Sequence, residues 1–408
     1  MIKKTGVIKK RYRTKNILLV VGILFIAANL RMSLSSVGPL VGMIRDDTGI
    51  SNGAAGLLTT LPLLSFAIFS ILASNIARRY GIKSTLMASL VALVIGIFLR
   101  SVYTAFALFA GTFILGSAIA MGNVLLPALI KRRFPHRIGI MTGLYTTFMN
   151  LFGALASGLS VPIAQQLGVG WRRTLASTAL LVIITIILWL PQMFDRRSSK
   201  RYEVTQKVNI WGSPLAWFVT LFLGLQSMLY FVMLSWLPEI FIHYGMNSSK
   251  AGFMLSLMLL SSIPANFIVP IIADRIKKQH ILIITVVSIT LLGLVGIFLS
   301  GQFLAPLWTI LLGLGIGGCL SLSLALIALR TLDTQHTSQL SGMAQSVGYL
   351  LAAIGPVLFG ALRDATHTWT MPLIIMMVTC IVLFIVGIGA GKDAYVQSKK
   401  LGESQITS

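Results

Sequence analysis

Twelve apolar runs, most of them twenty residues or longer, recur along this chain and constrain its fold more than any other feature. They cover approximately residues 16–44, 52–77, 84–102, 105–130, 138–165, 173–191, 212–243, 250–273, 280–300, 304–329, 337–362 and 370–391. A bilayer's hydrocarbon core is about 30 Å thick, which a helix crosses in about 20 residues. No water reaches that core, so each crossing segment must satisfy its own backbone hydrogen bonds. Composition agrees. Only 11% of the residues are charged, against about 25% in a soluble domain, and mean hydropathy is +0.88. The chain reads as an all-α integral membrane protein of twelve transmembrane helices.

The net charge of +23 invites a nucleic-acid partner, but its placement argues for a membrane instead. Of the 33 Lys and Arg, 26 lie in segments on the side of the chain termini and five on the other, while Arg31 and Arg100 sit within runs. Cytoplasmic segments carry the basic excess in membrane proteins. Both termini are therefore expected in the cytoplasm of a cell with a bacterial-type inner membrane. Residues 1–28 begin like a signal peptide, but the apolar run continues past Ala27-Ala28 without a cleavage pattern, so an uncleaved first span is expected. Cys319 and Cys380 both lie inside apolar runs, which argues against a disulfide framework or a metal site. No cofactor is expected.

The second half repeats the first. At a shift of 196, Gly49-Ile50-Ser51 meets Gly245-Met246-Asn247, Ala55-Gly56 meets Ala251-Gly252, and Ala77-Arg78-Arg79 meets Ala273-Asp274-Arg275. At 197, Leu115-Gly116 meets Leu312-Gly313; at 198, Trp171 meets Trp369; at 199, Thr142-Gly143 meets Ser341-Gly342. Six spans is an even number, so both copies enter from the same side as parallel repeats. The expected organisation is a six-helix bundle over 1–191, a cytoplasmic linker over 192–211, a second bundle over 212–392 and a tail over 393–408, working as a monomer.

Arg31 is the residue that a simple span explains least. It lies past the middle of the first run, about 20 Å along a helix that rises about 1.5 Å per residue. A cation at the bilayer centre costs about 2.5–3.5 kcal/mol on insertion scales. Arginine cannot shed its proton to escape that cost. Two readings stand: the fixed positive charge of a substrate site, or a structural arginine holding backbone carbonyls at a kink near Gly38-Pro39.

Polarity sorts the remaining spans. The sixth, ninth and twelfth are almost purely apolar and read as lipid-facing supports; the third is similar until Arg100, which reads as structural. The first, fourth, fifth, seventh, tenth and eleventh carry Gly, Ser, Asn, Gln and Tyr. The Gly313-x-Gly315-x-Gly317-Gly318 stretch reads as close helix packing rather than a nucleotide loop. Gln226 and Tyr230 share one face of the seventh span, and Gln345 and Tyr349 share one face of the eleventh. Asn123 precedes Pro127 in the fourth. Tyr145 and Asn150 stand about 140° apart on the fifth, and Asn29 and Arg31 also lie on different faces. Asn29, Asn123, Tyr145, Gln226, Tyr230, Gln345 and Tyr349 are candidate substrate contacts, with helix–helix hydrogen bonding as the alternative for each. Trp236 would pack on a flat ligand or anchor in the outer leaflet. Glu239 and His243, near the outer end of the seventh span, are candidates for proton coupling.

The loop Asn75-Ile-Ala-Arg-Arg-Tyr-Gly-Ile-Lys83 resembles the signature between the second and third spans of the major facilitator superfamily, with Gly81 and Lys83 in register. Ala273-Asp274-Arg275-Ile-Lys-Lys278 looks like its copy. The resemblance implies a conformational latch between the halves, carried here by Arg78, Arg79, Gly81, Asp274 and Arg275. The first copy departs from the family in having Arg78 where Asp is usual, and the second has Lys277 where Gly is usual. More narrowly, Asn29-Leu-Arg31, Gly122-Asn-Val-Leu-Leu-Pro127, Gly170-Trp-Arg172, Trp236-Leu-Pro238 and Leu340-Ser-Gly-Met-Ala-Gln-Ser-Val-Gly-Tyr349 resemble the cyanate/nitroimidazole porter branch over nearly the whole chain. That branch implies small anionic or flat heteroaromatic substrates. The resemblance to nitrate carriers, which use intramembrane arginine, supports the charged-site reading of Arg31 by analogy.

These readings converge on a secondary active transporter that moves a small anion or a small polar or heteroaromatic solute by alternating access. One rival is a drug or nitroimidazole exporter of the same fold with Arg31 structural. Another is a sensor that binds solute without moving it. An intramembrane enzyme is disfavoured, because the spans hold no H-E-x-x-H, paired carboxylates or Cys/His nucleophile constellation.

Overall fold

The computed structural model describes residues 2–50, 52–102, 104–194 and 209–396. The basic side chains before Ile17, the core of the expected linker at 195–208 and the tail beyond Val396 lie outside what is described. Twelve helical segments are long and apolar enough to cross a membrane, and there is no strand among the described residues. In chain order the α-helices are α1 (Ile2–Ser35), α2 (Val41–Thr48), α3 (Asn52–Tyr80), α4 (Ile82–Arg100), α5 (Ala105–Arg133), α6 (Ile138–Gln166), α7 (Gly170–Ser177), α8 (Ala179–Met193), α9 (Pro214–His243), α10 (Ser248–Arg275), α11 (His280–Ser300), α12 (Ala305–Leu329), α13 (Thr334–Thr366) and α14 (Thr370–Ala390).

Two apolar runs are not single helices. The first breaks after Ser35: the Val37 N–H turns to Leu34 O at 3.3 Å, and Pro39 has no N–H to give. A short 3₁₀ turn over Gly38–Leu40 leads into α2, which Gly49 ends at a left-handed φ of 68°. The sixth run splits into α7 and α8 at Thr178. On this side of the first bundle Asp47, at the end of α2, accepts from Trp171 Nε1 at 3.0 Å and pairs with Arg172, tying α2 to α7 over a small apolar cluster of Val37, Leu40, Ile44 and Leu175.

The helices group by halves. In the first, α5 packs against α3 and α4, and α1 against α6 and α8; in the second, α12 packs against α10 and α11, and α9 against α13 and α14. The two bundles meet along two matching seams, α3 with α13 and α6 with α10. The seams close through equivalent glycines. A Cβ on Gly143 would stand 2.6 Å from Phe267 O, and one on Gly342 would stand 2.7 Å from Ser70 O. These are the positions that the internal repeat relates, so the pseudo-symmetry seen in the sequence is built into the interface. The perimeter is apolar: Leu180 and Ile187 on α8 and Ile281 and Leu299 on α11 are exposed, as helices facing lipid tails require.

Candidate functional site

A cavity of about 510 Å³ opens between the halves, walled by α1, α3 and α6 on one side and α9, α10 and α13 on the other. Its lining lies toward the end of the bundle away from the chain termini, and Gly38, Pro39 and Ser235 at its edge are exposed. The end that carries the termini is shut. There Gly139 N–H donates to Asp274 Oδ2 at 2.9 Å, Lys131 Nζ to Ala328 O at 3.0 Å and Thr146 Oγ1 to Asn266 O at 3.1 Å, and Ser346 Oγ bonds Ala67 O. Every one of these bonds crosses from one half to the other.

Arg31 lines the cavity and is half-buried. Its guanidinium carbon sits 4.7 Å from the Tyr230 ring centroid and 5.9 Å from that of Phe231, both on the opposite half. A cation over an aromatic face is attracted by the ring quadrupole, by about 0.5–2 kcal/mol. Among the described residues Arg31 makes no hydrogen bond and no ion pair, so its donors are left for the cavity. Gly153 on α6 makes room for it: a Cβ there would stand 2.5 Å from Arg31 Cγ.

The carbonyl-holding role considered for Arg31 belongs to Arg100 instead. Arg100 is 1% exposed, and its Nη1 donates to Ser33 O at 2.8 Å, the carbonyl released where α1 breaks. Two residues from Arg31, Asn29 points the other way. It is fully buried and donates to Phe25 O and, at 2.6 Å, to Thr185 Oγ1 of α8, so it joins α1 to a support helix rather than lining the cavity. Two steps along a helix turn a side chain by about 200°, which separates the pair.

The other candidates divide as follows. Tyr230 lines the cavity. Tyr349 packs edge-on against Phe66 of α3 at 4.9 Å and stands within electrostatic range of Arg31 and Tyr230. Tyr145 is buried, with its hydroxyl unpartnered and in electrostatic range of Tyr349, while Asn150, on another face of α6, lines the cavity together with Gly153, Ala154 and Ser157. Gln226 and Gln345 are 1% exposed and are not among the lining residues. Asn123 is half-buried and likewise outside the lining. Trp236 donates from Nε1 to Pro356 O at 2.9 Å and packs on Trp369 at 5.5 Å, pinning α9 to α13 and α14. Glu239 and His243 are exposed and are not among the residues that line the cavity, which include no carboxylate and no histidine. Phe231, Ser35, Ser157, Ser235 and Ser262 line the cavity without having been singled out in the sequence; nothing in a single sequence separates such serines from packing serines.

Of the latch residues, Asp274 alone bridges the halves. Its carboxylate caps the first turn of α6, where the N–H groups have no partners within the helix. Arg78, the counterpart of Asp274 in the first half, is exposed, and so are Arg79 and Arg275. Arg79 lies over the Tyr80 ring at 5.3 Å. The first turn of α13 is instead capped from within, by Asp333 accepting from His336 N–H at 2.9 Å. Gly81 takes a φ of 86° in the turn into α4, a conformation that glycine adopts without strain.

Two repeated six-helix bundles around a solute-sized cavity at their interface define a membrane transport protein. The chain belongs to the Major Facilitator Superfamily, whose family model matches residues 19–356. It is 47% identical over 385 residues to the uncharacterized transporter YycB of Bacillus subtilis (strain 168), covering 94% of this chain and 96% of that one. It is 40% identical over 382 residues to the 2-nitroimidazole transporter of Escherichia coli (strain K12), covering 92% and 96% of the two chains. The cyanate transport protein CynX of the same strain is 27% identical over 350 residues, covering 86% of this chain and 91% of CynX. Among solved structures, the proton:xylose symporter XylE superposes with a TM-score of 0.75 at 14% identity, covering 93% of this chain and 96% of that one. These relatives are transporters and not enzymes.

Proposed function

We propose that this protein moves a small anion or a small planar heteroaromatic solute across the cell membrane by alternating access, with Arg31 as the fixed charge of the site. The observation that carries the reading is a half-buried guanidinium facing a cavity, held by two aromatic rings and by no counter-ion among the described residues. The cavity falls in the roughly 300–1,000 Å³ range of small-molecule sites. Tyr230 and Phe231 offer a wall for a flat guest, and Asn150 and Ser262 offer hydrogen bonds. The names of two of these relatives, a 2-nitroimidazole transporter and a cyanate transport protein, support both guest classes. The charge bias supports cytoplasmic termini, which makes the present opening extracytoplasmic.

The test is binding and counterflow by purified protein in proteoliposomes, with cyanate, benzoate and 2-nitroimidazole as probes. A charge-assisted hydrogen bond contributes about 1.5–3 kcal/mol. Arg31→Ala is therefore expected to weaken an anionic guest by roughly 10- to 150-fold. Parent-like binding and exchange of all three probes by Arg31→Ala would reject the assignment of the site. The low polarity of the cavity wall favours a second reading, export of a neutral heteroaromatic with Arg31 serving only to order the site. In that case 2-nitroimidazole exchange survives Arg31→Ala while anion binding is absent from the parent.

A further inference from the structure

Two carboxamides lie buried where this conformation makes little use of them. Gln226 and Gln345 are each 1% exposed. Each donates from Nε2 to a serine of its own helix, Gln226 to Ser227 Oγ at 2.8 Å and Gln345 to Ser341 Oγ at 3.0 Å. The Oε1 of each has no donor. A buried acceptor without a donor forfeits its hydration for nothing, so such groups are rare in native folds. Here two occur at matching places.

The match is geometric. Gln226 stands one turn before Tyr230 on α9, and Gln345 stands one turn before Tyr349 on α13; both helices begin at the end that carries the termini. Residues four apart share a helix face. Each glutamine therefore looks where its tyrosine looks, and both tyrosines look across to the other half: Tyr230 to Arg31, and Tyr349 to Phe66. The carboxamides thus lie one turn nearer the terminus end than Tyr230, which lines the cavity, and Tyr349, which packs on Phe66, inside the shut part of the interface. One turn deeper again, Gly342 closes on Ser70.

We propose that Gln226 and Gln345 form a second guest-binding site, which opens when the halves part at the end carrying the termini and receives the solute from the Arg31 level. The proposal rests on the transport reading above and narrows its substrate class. An unfilled carbonyl oxygen calls for a hydrogen-bond donor, so the guest carries an N–H or O–H at its edge, as an azole or a phenol does. A bare inorganic anion such as cyanate or nitrate has no such proton.

The experiment uses the full chain in oriented vesicles, where Cys319 and Cys380 are buried and give little background. Gln226→Cys and Gln345→Cys are expected to react with a membrane-impermeant thiol reagent from the terminus side, while Ser235→Cys in the cavity reacts from the opposite side. In counterflow, Gln226→Leu and Gln345→Leu are expected to slow 2-nitroimidazole exchange at least tenfold while melting no lower than the parent, since each removes an unpartnered buried group. The N-methylated analogue, which has no N–H, is expected to lose the sensitivity to both substitutions. No terminus-side labelling of either cysteine variant, or parent-like exchange by both leucine variants, would overturn the proposal. If Arg31→Ala exchanges normally while the leucine variants do not, the Arg31 assignment fails and this one stands.

Discussion

Asp274 on α10 accepts a hydrogen bond from the Gly139 N–H of α6 at 2.9 Å, so a carboxylate of one half caps a helix of the other. The first turn of a helix presents free N–H groups and about half a positive charge, and a carboxylate answers both. Losing a capping side chain costs about 0.5–2 kcal/mol. Because this cap exists only while the terminus end is shut, Asp274→Ala is expected to shift the population toward the opposite conformation by roughly two- to thirtyfold. Spin labels at the exposed positions 78 and 277 would read the change as growth of a longer inter-label distance. Asp274→Asn, which keeps an acceptor but not the charge, should fall between.

The paired glycines of the seams make a sharper demand. Gly143 and Gly342 each face a backbone oxygen of the other half at a distance that no real Cβ tolerates, and a backbone oxygen cannot swing aside. Overpacking of this kind costs about 1–3 kcal/mol. Gly143→Leu and Gly342→Leu are expected to give the same long inter-label distance and the same loss of counterflow, since the repeat makes them equivalent. A large effect from one and none from the other would mean that the two seams do not close together.

Asn29 and Arg31 should separate cleanly in two assays. Asn29→Ala removes a buried hydrogen bond to Thr185, a loss of about 1–3 kcal/mol of stability. It should lower the melting temperature and leave the ligand-induced stabilisation of the remaining protein intact. Arg31→Ala should do the reverse, because Arg31 holds no protein acceptor among the described residues but lines the cavity. Thermal melts with and without ligand test both.

Arg100 carries a signed prediction. Its guanidinium is buried, holds Ser33 O, and leaves Nε and Nη2 without partners. Replacing incompletely satisfied buried charge by apolar bulk is often neutral or stabilising. Arg100→Leu is therefore expected to melt at or above the parent, and Arg100→Lys below it, since lysine keeps a charge but lacks the planar fork. Exchange should fall in both variants, because each loosens the Ser33 carbonyl two residues beyond Arg31, where α1 approaches its break. A leucine variant that melts several degrees lower would show that the carbonyl contact outweighs the buried charge.

The span count, the boundaries within a few residues and the repeat were legible in the sequence, because each depends on local chemistry. A membrane helix must be long enough, apolar enough and satisfied by its own backbone. The two interruptions were less legible. Gly38-Pro39 announced the break of α1, whereas nothing in residues 173–191 announced the separation of α7 from α8. The site was half legible. Arg31 and Tyr230 stood out by burying polarity in an apolar run, and the structure brings them together across the halves. Asn29 and Trp236 stood out by the same signal but are turned to other partners, while Gln226 and Gln345 lie buried outside the cavity lining.

What the sequence determined by itself is a membrane-embedded, twofold-repeated bundle of twelve helices with a costly cation in its first span. Only the tertiary structure decided which arginine holds the broken helix and which faces the cavity, which acid bridges the halves, and which end is shut. The physical reason is rotation. Hydrophobic length fixes a helix along the bilayer normal, but its angle about its own axis is set by neighbours that are distant in the chain, and that angle decides what each polar side chain meets.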